Sequence, residues 1–245
     1  MVAELEVKIA ILSLFPDILK GYFVDSIMSR AVGKGLIDYE LVNIRDYAYD
    51  KHHVCDDSPY GGGAGMVIKA EPLAKSLDSI GVKGKRVIYP TPSGRVFSQS
   101  IARELAAEEE LIFICGRYEG IDQRVIDLYV DDEISIGDYV ISSGEIATLV
   151  LVDAVYRLIE GVIAGDSLEE ESFTQSLLEY PHYTRPEVFR GLAVPKVLLG
   201  GHHAEIEAWR LRKRVEKTLR TRSDLLRENK VGKDVLRIRD ELLDN

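Results

Sequence analysis

Short apolar runs alternate with helical patterns along the first two-thirds of this chain. The run Val7–Phe15 is almost continuously apolar and stops at Pro16, which is typical of a strand buried on both faces of a parallel sheet. The remaining predicted strands are Tyr39–Asn43, Arg86–Tyr89, Leu111–Ile114 and Tyr139–Ile141, and the predicted helices are Ile18–Val32, Ser98–Glu110 with Ser98 as N-cap, and Glu145–Leu158. Strands that alternate with helices predict an α/β domain with a mainly parallel sheet.

Two glycine-bearing turns follow predicted strands and are the first candidates for a binding site. Cys115–Gly120 comes directly after an apolar run, and Ile134–Glu145 contains a second one. Loops at the carboxyl ends of buried strands bind ligands in open α/β sheets, and glycine allows the backbone to approach a ligand closely. The pattern predicts a pocket lined by backbone that suits a flat, hydrogen-bonding ligand such as an adenine nucleoside. Two ordinary tight turns are the alternative interpretation.

The charge of the chain is unevenly distributed. The 245 residues carry a net charge of −10, but residues 172–245 contain 15 basic and 11 acidic groups, a balance of +4. Residues 1–171 contain 16 basic and 30 acidic groups, a balance of −14. The segment Trp209–Arg222 alone has seven basic groups and one acidic group. This asymmetry indicates a local polyanion site such as one for nucleic acid, with a solvated helical face as the alternative.

Several protein classes are disfavoured by the sequence. The amino-terminal residues MVAELEV are acidic where a signal peptide would be basic. Charged residues interrupt the longest apolar stretch, Ile146–Ile163, so no transmembrane helix is expected. Cys55 and Cys115 give no disulfide framework, and a cytoplasmic protein is expected. The five histidines form no zinc pattern with these cysteines, and no Gly-x-Ser-x-Gly elbow of a serine hydrolase is present.

A change in composition predicts the domain boundary. Gly161–Glu171 combines two glycines with three consecutive acids and is expected to be a flexible linker. The predicted domains are therefore residues 1–160, an α/β domain, and residues 172–245, a smaller and mainly helical domain. One apolar stripe is predicted on the last helical pattern, with basic residues largely outside it; its members are Ala204, Ala208, Leu211, Val215 and Leu219.

The segment Asp56–Met66 is dense in glycine but matches no nucleotide-binding pattern. No Gly-Lys-Ser/Thr follows it, so it is not a phosphate-binding loop, and it lacks the Gly-x-Gly-x-x-Gly spacing of a dinucleotide fold. It is interpreted either as a flexible loop that meets a ligand or RNA, or as a long turn.

Five motifs together carry a specific resemblance that covers nearly the whole chain. They are PYGGGAGM at Pro59–Met66, GRYEGID at Gly116–Asp122, SIGDYVISSGE at Ser135–Glu145, PHYTRPE at Pro181–Glu187 and GGHHAEIEAWR at Gly200–Arg210. The chain thereby resembles the bacterial tRNA (guanine-N1)-methyltransferases of the SPOUT superfamily. The resemblance implies a trefoil-knotted α/β domain, an obligate homodimer, S-adenosylmethionine bound in the knot, and methylation of N1 of guanosine at tRNA position 37.

The resemblance also implies site residues. The cofactor pocket would be formed by three loops, with the residues Tyr89, Pro90, Thr91, Pro92, Gly94, Gly116, Tyr118, Glu119, Gly120, Ile136, Gly137, Asp138, Tyr139, Val140, Ile141, Ser143 and Gly144. The catalytic pair would be Arg157, at the end of a helix, and Glu171, just before Ser172 and Phe173. Glu169 and Glu170 compete with Glu171 for the role of the base. No metal ligand is assigned, and a role for magnesium stays open.

The chain departs from the family pattern at three of these places. The family usually has aspartate where this chain has Glu171, glycine where it has Ser143, and proline where it has Ala147. Ser143 could crowd the cofactor or add a hydrogen bond. Two alternatives therefore stand beside the guanine-N1 methyltransferase: a related SPOUT RNA methyltransferase with another target, and a non-catalytic RNA-binding protein on the same scaffold.

Overall fold

The computed structural model describes residues 7–163, 171–227 and 231–244. The chain divides into two units, Met1–Ile163 and Ala164–Asn245. The greater part of the predicted linker, residues 164–170, lies outside the described residues. Each unit is considered by itself.

The first unit contains a five-stranded parallel sheet. Its strands are β1 (Val7–Ser13), β2 (Ile37–Asn43), β5 (Arg86–Val96), β6 (Glu110–Ile114) and β7 (Asp132–Ser135), while β3 (Asp56–Asp57) and β4 (Val67–Ile68) form a separate antiparallel pair. The order across the sheet is β2-β1-β6-β5-β7, and every neighbouring pair is parallel. The predicted α/β class and parallel sheet are therefore confirmed. The trefoil knot stays a prediction.

Helices cover both faces of this sheet. They are α1 (Asp17–Phe23), α2 (Ser26–Gly33), α3 (Ala70–Ile80), α4 (Gln99–Leu105), α5 (Gln123–Tyr129) and α6 (Gly144–Tyr156). Alternate residues of one strand point to opposite faces. Accordingly Ile9 and Ile11 of β1 pack with helices α1, α2, α4 and α6, whereas Leu12 packs with α3 and α5. Two apolar layers on one sheet explain why the strands are nearly continuous apolar runs.

The predicted strand Tyr139–Ile141 is wrong. These residues lie in a loop, and Val140 is 85 % exposed. The strand at the outer side of β5 is β7. It was not predicted, because its first two residues, Asp132 and Glu133, are acidic. An acidic residue at this edge is tolerated because Asp132 accepts hydrogen bonds from arginine side chains of β5.

The single helix predicted over Ile18–Val32 is also wrong, since two helices occupy this stretch. α1 ends at Phe23, and the carboxylate of Asp25 accepts a hydrogen bond from the backbone N–H of Ser26 (2.6 Å). Asp25 therefore caps a new helix and interrupts the old one. The other predicted cap is confirmed, because the hydroxyl of Ser98 accepts from the backbone N–H of Ile101 at 3.5 Å.

A cluster of ion pairs joins Arg86 and Arg95, near the two ends of β5, to Asp132 of β7. The carboxylate of Asp132, only 9 % exposed, contacts Arg86 Nε at 2.5 Å and Arg95 at 2.7 Å. Arg86 also binds Glu104 (2.6 Å) and Glu108 (3.1 Å). The hydrogen bond to Asp132 is the main reason why the pKa of Arg86 is raised above its ordinary value. Asp132 thereby contacts residues before and after the place where the pairing of β5 with β7 shifts, between Pro90 and Arg95.

Asp132→Asn is expected to lower the free energy of unfolding by about 1–3 kcal/mol, because a charge-assisted pair to two arginines is lost in a poorly solvated place. Urea unfolding monitored by circular dichroism measures this. Asp127→Asn is the matched control, since Asp127 is an exposed residue of α5 that accepts only from Gln123 among the described hydrogen bonds. Equal effects of the two substitutions would contradict the role given to the cluster.

The second unit has two helices and a short hairpin among the residues described. α7 (His203–Thr221) packs on α8 (Lys233–Leu243), and β8 (Val188–Phe189) pairs with β9 (Leu192–Ala193). The predicted stripe of α7 is confirmed in its carboxyl-terminal half, where Val215 joins the core of this unit. It is wrong for Ala204 and Ala208, which are exposed. One basic residue expected outside the stripe, Arg214, is buried and donates to the carbonyl of Leu178 at 3.4 Å.

Candidate functional site

Three loops, one within β5 and one after each of β6 and β7, enclose a cavity of about 200 Å³. The first loop interrupts β5 where its pairing with β7 shifts between Pro90 and Arg95. The second begins after Ile114, at the end of β6, and the third after Ser135, at the end of β7. This is the edge at which open α/β sheets bind ligands. Because the three strands are neighbours, loops from distant parts of the chain form one wall.

Fifteen of the 17 residues that the resemblance assigns to the cofactor line this cavity: Tyr89, Pro90, Thr91, Pro92, Gly116, Tyr118, Glu119, Gly120, Ile136, Gly137, Tyr139, Val140, Ile141, Ser143 and Gly144. Gly94 and Asp138 do not line it. Gly94 instead packs against the backbone of Glu133 in β7. Five further residues line the cavity without having been assigned to the cofactor: Arg117, Ile134, Ser135, Ser142 and Ala147. Arg117 stands inside the GRYEG motif, so the signal for it was present.

Two glycines allow the second and third loops to touch. The backbone N–H of Gly144 donates to the carbonyl of Gly116 at 3.0 Å. A Cβ on Gly144 would stand 2.5 Å from the Gly116 nitrogen and 2.6 Å from its oxygen. Glycine is therefore required at position 144 by the close approach of two backbones.

The side chain of Tyr89 closes the cavity beneath the second loop. A Cβ on Gly116 would meet the Tyr89 ring at 2.9 Å, and one on Gly120 would meet its hydroxyl oxygen at 3.1 Å. Tyr89 is only 6 % exposed, and this burial raises the pKa of its phenol above the ordinary value. The ring of Tyr89 and the two glycines of the second loop are therefore in close contact.

The glycine-dense segment Asp56–Met66 lies against the second loop. The backbone N–H of Glu119 donates to the carbonyl of Met66 at 3.0 Å, and Gly65 packs against the Glu119 side chain. At the other end of the segment, a hydrogen bond from Tyr118 to Asp56 raises the pKa of the Tyr118 phenol. The segment is therefore more than an isolated turn, since both of its ends contact residues that line the cavity.

A buried carboxylate holds the base of the third loop. Glu145 has no exposed surface and accepts from the hydroxyl of Ser143 at 2.6 Å and from Arg117 Nε at 3.1 Å. It also accepts from the hydroxyl of Ser13, at the end of β1, at 2.6 Å. Ser143, where the family usually has glycine, thus adds a hydrogen bond within the protein: its hydroxyl donates to Glu145. Glu145 ends the motif Ser135–Glu145, but the sequence analysis gave it no role in the site.

The comparisons with known proteins agree with one another. The sequence model of the tRNA (guanine-1)-methyltransferase TrmD family matches residues 7–228. The chain belongs to this family. A tRNA (guanine-N(1)-)-methyltransferase of Treponema denticola is 64% identical over 216 residues, which are 88% of this chain and 89% of the relative. Those of Treponema pallidum (61% over 219 residues; 89% and 88%) and Borreliella burgdorferi (60% over 220 residues; 89% and 92%) are similar.

The two residues that match the family's catalytic pair stand in different units. Arg157 follows α6 directly as its C-cap, and Glu171 is the first described residue of the second unit. Glu169 and Glu170 lie outside the described residues. The catalytic roles of Arg157 and Glu171 stay predictions.

The basic segment of α7 is partly neutralised within its own unit. Arg212 contacts Glu241 at 3.2 Å, Lys213 contacts Glu216 at 2.7 Å, and Arg222 contacts Asp224 at 2.8 Å. Lys217 and Arg220 are exposed. The positive field of this segment is therefore weaker than its seven basic residues imply, and any contact with an anion would compete with these acids.

Two further findings concern only the ranges 7–163, 171–227 and 231–244. No helix there has the length and apolar character that crossing a membrane requires. No group of three or more histidine, cysteine or acidic residues there is arranged to hold a metal ion.

Proposed function

We propose that this family member transfers a methyl group from S-adenosylmethionine to N1 of guanosine at position 37 of tRNA. The observation that carries the proposal is one cavity formed by three loops, two of which contain motifs of the resemblance. The relatives named above support the base and the atom, since their names specify guanine N1. The position within tRNA, the homodimer and the cytoplasmic location rest on the resemblance of the motifs.

The residues around the cavity fit a methyl-donating adenine nucleoside. The apolar side chains of Ile136, Val140 and Ala147 suit the faces of a purine, while the glycines expose backbone groups to its edge. The close contact of Gly144 with the Gly116 backbone, which any Cβ at position 144 would push apart, holds the second and third loops at their present spacing. S-adenosylmethionine supplies an electrophilic methyl group on a sulfonium when it is bound.

The proposed chemistry requires a base and a cation. Guanine N1 carries a proton and is a poor nucleophile until it loses that proton. The carboxylate of Glu171 accepts the N1 proton as general base. Negative charge then spreads to O6, and the guanidinium of Arg157 stabilises it. No covalent bond to the enzyme is needed, so the protein contributes positioning and charge.

The decisive experiment is transfer of labelled methyl to two unmodified tRNA transcripts that differ only in guanosine or adenosine at position 37. We expect label in the first transcript alone, and 1-methylguanosine as the only labelled nucleoside after digestion. Equal transfer to both transcripts would mean that the enzyme methylates a nucleotide other than the one at position 37. Transcript binding without any transfer would support the non-catalytic RNA-binding alternative.

Gly144→Ala is expected to weaken cofactor binding by at least about tenfold, because the added Cβ forces the backbones at Gly116 and Gly144 apart. Calorimetric titration with S-adenosylhomocysteine measures the change. Gly33→Ala is the matched control, since Gly33 ends α2 and a Cβ there meets nothing within 4 Å. If Gly144→Ala bound S-adenosylhomocysteine with unchanged affinity, the contact between Gly116 and Gly144 would not contribute to cofactor binding.

The homodimer has a test of its own. Sedimentation equilibrium of the full chain is expected to give twice the mass of the 27.4 kDa chain. A monomer with full methyl transfer would contradict this part of the proposal and leave the reaction intact.

A further inference from the structure

Glu145 is a buried acid that the proposed reaction does not use. Its relative exposure is 0 %, and it stands in the first turn of α6. Burying a lone carboxylate is expensive, so such a group is kept only where donors surround it. The amino-terminal end of a helix adds a favourable field for a negative charge.

The donors of Glu145 come from three separate parts of the first unit. Oε1 accepts from the hydroxyl of Ser13 at 2.6 Å, across 132 residues of sequence. Oε2 accepts from Ser143 at 2.6 Å and from Arg117 Nε at 3.1 Å. One carboxylate thereby joins the end of β1 with the second and third loops of the cavity.

Its partners are themselves held in place. The hydroxyl of Ser13 accepts from the backbone N–H of Phe15 at 2.8 Å. The guanidinium of Arg117 lies over the ring of Phe15, 4.8 Å from its centre, and donates to the carbonyl of Ser142 at 3.3 Å. Arg117 therefore contacts Glu145 and the third loop at the same time.

We infer that Glu145 is a positioning residue of the cofactor pocket, which holds the second and third loops at the spacing that the nucleoside needs, with Ser143 as one of its donors. The inference rests on the proposed function. It adds a use for the serine that replaces the usual glycine, because its hydroxyl is the one donor to Glu145 that lies within the third loop.

The test measures cofactor affinity and stability separately. The dissociation constant of S-adenosylhomocysteine, the KM for S-adenosylmethionine, kcat and the thermal midpoint are determined for wild type, Ser143→Ala and Glu145→Gln. Ser76→Ala is the matched control: Ser76 is also buried (0 % exposed, against 8 % for Ser143), and its hydroxyl donates to the carbonyl of Leu73 at 2.7 Å, within α3, none of whose described residues lines the cavity.

Ser143→Ala is expected to raise the dissociation constant and KM by about tenfold, the effect of losing one hydrogen bond to a charged group, with kcat nearly unchanged. Glu145→Gln is expected to have a larger effect, because its amide N–H₂ cannot accept from Arg117 or the serines. Ser76→Ala should lower the thermal midpoint and leave the dissociation constant at the wild-type value.

Wild-type affinity in Ser143→Ala, with the protein folded, would overturn the inference even if Glu145→Gln does not fold. Equal losses of affinity in Ser143→Ala and Ser76→Ala would also overturn it, since the effect would then be general loosening. A wild-type protein that binds neither the methyl donor nor S-adenosylhomocysteine would instead refute the proposed function on which the inference rests.

Discussion

Glu171→Gln is expected to lower the rate of methyl transfer by about 10²- to 10⁴-fold, the usual contribution of a general base. Glutamine has nearly the same shape but cannot take the proton from guanine N1. Single-turnover transfer to a tRNA transcript with guanosine 37 measures the chemical step. The dissociation constants of tRNA and of S-adenosylhomocysteine should stay close to the wild-type values.

Glu169→Gln and Glu170→Gln are the matched controls, because all three acids are consecutive in the sequence. Both controls should retain near-wild-type rates. A large loss in one of them, with Glu171→Gln unaffected, would transfer the role of the base to that residue. Glu171→Asp introduces the acid that is usual in the family and should keep most of the activity.

Arg157→Ala is expected to lower the same rate by about 10²- to 10³-fold, comparable to removing a donor that stabilises a developing oxyanion. Arg157 directly follows α6, whose first turn contributes to the cavity wall. Arg157→Lys keeps the charge but loses the planar pair of donors, so only partial activity should return.

Arg103→Ala serves as the control for this substitution, since Arg103 is in the last turn of α4 and does not line the cavity. It should leave single-turnover rates unchanged. If Arg157→Ala weakened tRNA binding and spared the chemical step at saturating tRNA, Arg157 would be a substrate-binding residue and the proposed charge stabilisation would be wrong.

The sequence predicted the scaffold of the site well where the signals are local. The apolar runs at β1 and β6 and the N-cap at Ser98 depend on neighbouring residues, and each was found at its place. Errors arose where a local signal was ambiguous. Tyr139–Ile141 is apolar as a strand would be, but in the structure these residues form a wall of a cavity and stay exposed.

The strand β7 was missed for the opposite reason. An acidic residue such as Asp132 is typical of a loop. Its place in a strand is explained by its ion pairs with Arg86 and Arg95 on the neighbouring strand. The split between α1 and α2 shows the same competition on a smaller scale. Helical spacing continues through Asp25, but its carboxylate caps a new helix and stops the old one.

The sequence by itself determined the α/β class, through its alternating strand and helix patterns, and the family, through short contiguous motifs. Only the tertiary structure revealed that Ser13, Arg117 and Ser143 meet on the buried carboxylate of Glu145. The parallel sheet brings these groups together across as many as 132 residues. Such a contact has no periodicity or spacing along the chain, so no pattern in one sequence reports it.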